Sequence, residues 1–82
     1  MRVDLHGLRI EEAKAMLTEH VLPVLPVFKC IVVVTGKGLH SKKGKQFVLR
    51  DAVKNFLLTV EGVDVEVERG NDGALLVTSI PP

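Results

Sequence analysis

Hydrophobic and polar residues alternate near the start of the chain, over the segment Arg2-Val3-Asp4-Leu5-His6. This period of two is typical of a β-strand whose apolar side chains face a core, while Asp4 and His6 face away from it. Gly7 then interrupts the strand. The same alternation returns over residues 63–68, where three valines alternate with three acidic residues. Both segments are therefore predicted to be strands with one buried face.

Two other segments carry apolar residues at helical spacing. Over residues 10 to about 22, apolar side chains recur every three or four positions and form one stripe. Pro23 and Pro26 are expected to end this helix and to make a short, stiff connection. The helix start lacks a good cap, because Arg9 stands where Ser, Thr or Asp is favoured. A second helix is predicted on the same grounds over about residues 45–58.

Two further strands complete the predicted topology. Residues 29–35 form an almost continuous apolar run, typical of a strand buried on both faces, and Cys30 within it is interpreted as a small buried residue. The turn Gly70-Asn71-Asp72-Gly73 predicts a hairpin before a last strand at residues 74–80. The order β-α-β-α-β-β predicts an α/β fold with a mixed sheet. Helical crossovers would make the first three strands parallel neighbours, and the hairpin would add an antiparallel strand.

This topology brings two polar segments together. Asp4-Leu5-His6-Gly7 follows the first predicted strand, and residues 35–41 follow the second. Both segments lie at the carboxyl ends of parallel strands, and therefore share the edge of the sheet at which α/β folds usually bind ligands. Both helix N-termini are expected to point to the same edge and to favour an anion there.

Composition narrows the class of protein. The 82 residues are 46% apolar, enough for one globular domain, residues 1–82, with a single two-layer core. The lone cysteine excludes an internal disulfide framework and fits a reducing compartment. We expect the cytoplasm, with the nucleus as the alternative. The sequence shows no apolar run of membrane-spanning length and no signal peptide, so a membrane is not expected as a partner.

Charge is divided unevenly along a chain whose net charge is only +1. Residues 37–54 hold six basic residues and one acid, whereas residues 61–72 hold five acids and one arginine. The basic block coincides with a glycine-rich segment that starts at Gly36. Glycine lets a backbone approach a ligand closely, and lysines beside such a backbone suit a phosphate. These features favour a polyanion as the partner.

Polar residues of several kinds would meet at the shared edge of the sheet: Asp4, His6, Thr35, Lys37, His40, Ser41, Lys42 and Lys43. Two imidazoles beside a bound phosphate allow acid–base cleavage of RNA. One takes the proton from the 2′-hydroxyl, and the other protonates the leaving 5′-oxygen. Asp4 would hold the His6 imidazole in one tautomer, while the lysines and loop amides would offset charge on the phosphorane.

This scheme requires no metal cofactor, and a metal alternative with Asp4 as an oxygen ligand needs further carboxylates. Dependence on Mg²⁺ stays open at this point. Each part also has a simpler interpretation, because an Asp or His at a strand end is often a cap and loop glycines are often turn residues. The glycine-rich segment is neither a Walker loop nor a dinucleotide-binding motif. The residues alone favour phosphate binding and leave catalysis undecided.

The motifs themselves resemble those of a known family. Asp4-Leu5-His6-Gly7, followed by Glu11-Glu12-Ala13, resembles the first signature of Smr (small MutS-related) domains. Thr35-Gly36-Lys37-Gly38-Leu39-His40-Ser41 resembles the second signature, and Asn71-Asp72-Gly73 resembles the family's ending. The resemblance extends over about residues 2–80. It implies a two-layer α/β sandwich similar to the C-terminal domain of bacterial translation initiation factor three.

The resemblance also implies nucleic-acid binding and endonuclease activity, since family members nick DNA or cut mRNA at stalled ribosomes. Mapped onto this chain, it implies three catalytic residues: Asp4, His6 and His40. With the basic residues nearby, the predicted nucleic-acid-binding residues are Arg9, Thr35, Gly36, Lys37, Gly38, Ser41, Lys42 and Lys43. Arg9 replaces a threonine cap that is frequent in the family, and adds positive charge near the site.

Three functions follow as hypotheses. The first is an endonuclease that cuts RNA, with mRNA at stalled ribosomes as the leading substrate and DNA nicking as a second activity. The second is a module that binds RNA, DNA or the ribosome without chemistry. The third is a protein-interaction domain that uses the acidic strand at residues 63–68. Because Smr domains usually belong to larger proteins, we also expect a multidomain context.

Overall fold

The computed structural model describes residues 1–36 and 47–81. In chain order these residues form β1 (Arg2–Asp4), α1 (Ile10–Met16), a π-helical turn (Leu17–Val21), α2 (Leu25–Phe28), β2 (Cys30–Val34), α3 (Val48–Leu58), β3 (Val63–Val67) and β4 (Ala74–Ser79). The sequence therefore predicted the order of the main elements and the α/β class. Six of the predicted catalytic and binding residues lie outside the described residues: Lys37, Gly38, His40, Ser41, Lys42 and Lys43.

The strands form one mixed sheet in the order β1-β2-β4-β3. β1 and β2 are parallel, and β4 is antiparallel to both β2 and β3. The prediction that β2 and β3 are neighbours is wrong, because β4 lies between them. Residues 75–77 of β4 are all apolar and suit a central strand, whereas Asp64 and Glu66 of β3 suit an edge, where charge discourages pairing with other chains.

The core lies between this sheet and one layer of helices. Leu17, Val21, Val53 and Leu57 from the helical segments are fully buried in one cluster with side chains of β2, β3 and β4. The expectation of a two-layer sandwich is confirmed. Burial alternates strictly along β2, because the helices cover only one face of the sheet. This strand is therefore not buried on both faces as predicted, and Cys30 is only partly buried.

The first helix begins at Ile10, as predicted, although Arg9 is its N-cap. The Glu12 carboxylate accepts a hydrogen bond from the Arg9 N–H, at 2.9 Å between N and Oε1. This is half of a capping box, because an arginine side chain has no acceptor with which to return the bond. The helix then widens into the π-helical turn, in which the Leu22 N–H donates to the Leu17 carbonyl at 2.8 Å.

The connection between the π-helical turn and β2 includes a helical segment. It contains the short helix α2, whose first turn holds Pro26, where the missing N–H costs no intrahelical bond. The helix predicted to start at residue 45 begins at Val48, because Phe47 adopts a left-handed conformation with φ of 63°. In the described parts of the chain, no helix combines the length and the apolar character needed to cross a membrane.

The α3 helix offers a matched test of the core. Leu57 is fully buried, whereas its neighbour Leu58 is 49% exposed. We expect Leu57→Ala to lower the free energy of unfolding by about 2–5 kcal/mol, because it removes buried methyl groups and leaves a cavity. Leu58→Ala is the control and is expected to change it by less than about 0.5 kcal/mol. Urea titration measures both, and equal losses would contradict this placement of α3.

Candidate functional site

The ends of β1 and β2 are fixed side by side. Asp4 is opposite Val34 in the parallel register, and the Leu5 N–H donates to the Val34 carbonyl at 2.7 Å. Leu5 is fully buried and anchors the end of β1 in the core, while His6 and Gly7 turn out into solvent. The prediction that the first motif and the start of the second share one edge of the sheet is therefore confirmed for the described residues.

His6 and Gly36 are in contact at this edge. Gly36 has φ of +80°, and a Cβ placed on it would lie 2.7 Å from Cδ2 of the His6 ring. Both its conformation and the closeness of the imidazole therefore require glycine at this position. The contact leaves His6 exposed, with its ring beside the start of the glycine-rich segment.

Asp4 has a different partner from the one predicted. Its Oδ1 accepts a hydrogen bond from the backbone N–H of His6 at 2.8 Å. Between these two residues, no hydrogen bond joins the carboxylate to the imidazole, so the predicted control of the His6 tautomer by Asp4 is not seen. β1 also ends at Asp4, so His6 lies in the following turn and not on the strand face. Asp4 instead fixes the backbone of that turn, as Asp commonly does two residues ahead of a donor.

Thr35 holds the start of the glycine-rich segment against the β3–β4 turn. Its backbone N–H donates to the Gly73 carbonyl at 2.8 Å, and its hydroxyl donates to the same oxygen at 3.2 Å. The Gly36 N–H adds a third bond to that oxygen at 2.9 Å. Thr35 is only 4% exposed. These donors are therefore used within the protein, and a direct contact of Thr35 with a ligand stays a prediction.

The β3–β4 turn is itself braced from two sides. Asn71 Oδ1 accepts a hydrogen bond from the Gly73 N–H at 3.1 Å, which holds the residue whose carbonyl accepts the Thr35 bonds. Arg50 Nη1 donates to the Asp72 carbonyl at 2.9 Å. The turn predicted from residues 70–73 is confirmed, and in addition it positions the end of β2.

Arg50 is a site residue that was not predicted from the sequence. Its guanidinium stacks on the Phe47 ring at 4.0 Å from the ring centroid and donates from Nε to Asp51 Oδ1 at 3.1 Å. It therefore joins the first turn of α3 to the β3–β4 turn and places the α3 N-terminus at the shared edge. The sequence held one indication of this role. A basic residue in the first turn of a helix interacts unfavourably with the helix dipole, which suggests that it has a stabilising partner elsewhere in the fold.

The remaining predicted positions divide into two groups. Arg9 is described and exposed at the N-terminus of α1, three residues after His6. The others lie outside the described residues: Lys37, Gly38, His40, Ser41, Lys42 and Lys43. The structure thus brings together Asp4, His6 and Gly36, and leaves the second histidine of the scheme as a prediction. Within residues 1–36 and 47–81, His, Cys, Asp and Glu do not form a group of three that could hold a metal ion.

The contact between His6 and Gly36 can be tested with a matched glycine. Gly70 has φ of +82°, close to that of Gly36, but a Cβ there would meet nothing within 4 Å. Gly70→Ala should therefore report only backbone strain, about 1–3 kcal/mol in urea titration. Gly36→Ala is expected to cost more and to shift the His6 ring resonances in NMR spectra. Equal costs with unchanged His6 resonances would contradict the contact.

Comparison with known proteins agrees with this architecture. The sequence pattern of the Smr domain family matches residues 3–79. The solution structure of the SMR domain of NEDD4-binding protein 2 is similar, with 26% sequence identity, a TM-score of 0.64, and coverage of 99% of this chain and 86% of that one. A search of curated proteins found no match. Since the family pattern covers nearly the whole chain, the chain belongs to the Smr domain family.

Proposed function

We propose that this domain is an endonuclease that cleaves RNA by acid–base chemistry at the edge formed by the ends of β1 and β2. Smr domains are in general nucleic-acid-binding and nuclease-related, which supplies the broad class. The observation that carries the finer proposal is the exposed His6 imidazole, which packs on Gly36 beside the basic, glycine-rich segment. Its ring is accessible to a substrate while its backbone is held in place.

The proposed reaction uses His6 as one of two proton-transfer groups. One imidazole takes the proton of the 2′-hydroxyl, and the 2′-oxygen attacks the adjacent phosphorus. The bond from phosphorus to the 5′-oxygen breaks as a second imidazole, which we propose to be His40, donates a proton to that oxygen. The products are a 2′,3′-cyclic phosphate and a free 5′-hydroxyl. The reaction needs no oxidant, reductant or co-reactant.

Positive charge for the phosphate is proposed to come from Arg9 and from the lysines of the glycine-rich segment: Lys37, Lys42 and Lys43. Gly38 and Ser41 are proposed to contact the phosphate within the same segment. The N-terminus of α1 follows the His6 turn directly and adds the partial positive charge of its free N–H groups. An RNA phosphodiester would thus meet a cationic edge with one exposed general acid–base group.

The wider setting is proposed from the family resemblance. We propose that the substrate is mRNA at stalled ribosomes and that the domain works in the cytoplasm within a larger protein. DNA nicking is not part of this proposal, because DNA lacks the 2′-hydroxyl that attacks phosphorus in the scheme. A requirement for Mg²⁺ is decided by the experiment below, because the acid–base scheme predicts cleavage in EDTA. Nucleic-acid binding without cleavage is the alternative outcome of the same experiment.

Cleavage of a 5′-labelled, structured RNA by the purified domain tests the proposal, with EDTA and with Mg²⁺. We expect His6→Ala to reduce the cleavage rate at least 100-fold, the order of a lost general acid or base, and to change RNA affinity by less than about threefold. His20→Ala is the matched control, because His20 is an exposed histidine in the π-helical turn, away from the edge. We expect its rate to be unchanged.

Two outcomes would contradict the proposal. An equal loss of activity in His6→Ala and His20→Ala would mean that the effect is not specific to the edge. Intact RNA in every condition, including reactions to which stalled ribosomes are added, would contradict it as well. With RNA binding retained, that result would make the domain a recognition module.

Two substitutions distinguish the hydrogen bond that Asp4 accepts from the negative charge that it carries. Asp4→Asn keeps a side-chain oxygen that can accept the His6 N–H, whereas Asp4→Ala removes it. If Asp4 acts by fixing the turn, Asp4→Asn should retain cleavage within about fivefold of wild type, and Asp4→Ala should lose at least tenfold more. Single-turnover cleavage rates measure both. Equal, large losses in both variants would instead mean that the reaction needs the negative charge of Asp4.

A further inference from the structure

The face of the sheet that the helices leave open has its own chemistry. The strand register aligns Arg2, Val32, Leu76 and Glu66 in one row across the four strands. Residues two positions along each strand lie on the same face. This open face therefore has a centre from β2 and β4 and an outer column from β3. It lies on the opposite side of the sheet from the helices. His6 lies in the turn after β1 and is not in any of the four strands.

The centre of the open face is apolar. Val32, Val34 and Leu76 are only partly buried there, although the alternate residues of the same strands, such as Val33 and Val77, are fully buried beneath the helices. Partly exposed aliphatic residues on adjacent strands form a continuous surface, because neighbouring strands lie about 4.8 Å apart. An apolar surface bordered by charge is typical of an interaction site.

The outer column of the open face is acidic. Asp64 and Glu66 are exposed on β3, and Glu68 continues the alternation just after the strand. Successive carboxylates of this column are about 6.7 Å apart, since they are two strand residues apart. Such a column repels the phosphates of a nucleic acid and repels a second copy of itself. It instead favours a partner with positive charge.

Glu68 shows that the column lacks a good cationic partner within the described chain. Arg2 Nη2 is 3.7 Å from Glu68 Oε2, which is an ion pair without hydrogen-bond distance. The Glu68 Oε2 atom is buried and accepts no hydrogen bond from any described residue. Arg2 lies on one edge strand and Glu68 beside the other, so the two side chains must reach toward each other over the central strands to come this close. A closer donor would satisfy this oxygen better.

We propose that the open face binds a basic amphipathic helix of another protein. The apolar stripe of the helix would lie on Val32, Val34 and Leu76, and a flank of lysines or arginines would pair with Asp64, Glu66 and Glu68. Helix residues four apart are about 6 Å apart along the axis, which matches the spacing of the carboxylates. A basic side chain of the partner would replace Arg2 at Glu68. This binding goes beyond RNA cleavage and does not depend on it.

The test uses an 18-residue peptide of leucine and lysine with one leucine stripe, and a second peptide in which serine replaces every leucine. In ¹H–¹⁵N NMR titrations at physiological salt, the leucine–lysine peptide should shift the amide signals of β2 and β4. The serine–lysine peptide should bind at least tenfold more weakly, because it has charge without the apolar stripe. Equal binding of the two peptides would overturn the proposal, as would shifts confined to α1 and α3.

Matched charge variants complete the test. Asp64→Asn/Glu66→Gln removes two carboxylates from the open face, and Glu11→Gln/Glu19→Gln removes two exposed carboxylates from the first helix and the π-helical turn. We expect the first pair to weaken binding of the leucine–lysine peptide at least tenfold and the second pair by less than twofold. Equal weakening would overturn the proposal. So would a titration with RNA that shifts the open face, or self-association lost in Asp64→Asn/Glu66→Gln.

Discussion

The carbonyl oxygen of Gly73 accepts hydrogen bonds from the Thr35 N–H, the Gly36 N–H and the Thr35 hydroxyl, and the geometry of the edge depends on these bonds. They fix where β2 ends and how the chain enters the glycine-rich segment. Because Gly36 is held there with positive φ, the His6 ring can pack on its backbone. A residue of the last hairpin, 37 positions away from Gly36 in sequence, thus determines the surroundings of the proposed proton-transfer group.

The supports of this carbonyl come from separate elements. Asn71 holds Gly73 from within the turn, and Arg50 holds the turn to the N-terminus of α3 through Asp72 and Phe47. The first motif is fixed by the buried Leu5 and by the hydrogen bond that the His6 N–H donates to the Asp4 carboxylate. The described elements therefore hold the backbone around the exposed His6 ring, to which the proposal assigns proton transfer. The proposed basic partner would bind the acidic open face, on the side of the sheet opposite the helices.

The shared edge could be predicted from sequence, because crossover helices make β1 and β2 parallel and bring Asp4, His6 and Thr35 to one end of the sheet. The place of β4 was not predicted, although the sequence held a signal for it: residues 75–77 are all apolar and suit a central strand, whereas Asp64 and Glu66 of β3 suit an edge. The hydrogen bond from the His6 N–H to Asp4 could not be predicted either, because spacing alone does not show whether Asp4 accepts from the backbone or from the imidazole. Arg50 depends on Asp72, 22 residues away, so its role follows only from the tertiary structure.

Acid–base cleavage through the 2′-hydroxyl is tested by comparing cleavage of one RNA sequence with that of the same sequence lacking 2′-hydroxyl groups, in EDTA, with the new ends identified by mass spectrometry. We expect the RNA to yield 2′,3′-cyclic phosphate and 5′-hydroxyl ends, and the 2′-deoxy strand to stay intact. Cleavage of both strands to 3′-hydroxyl and 5′-phosphate ends would contradict this mechanism, because water would then be the nucleophile and the 2′-hydroxyl would have no part in the reaction.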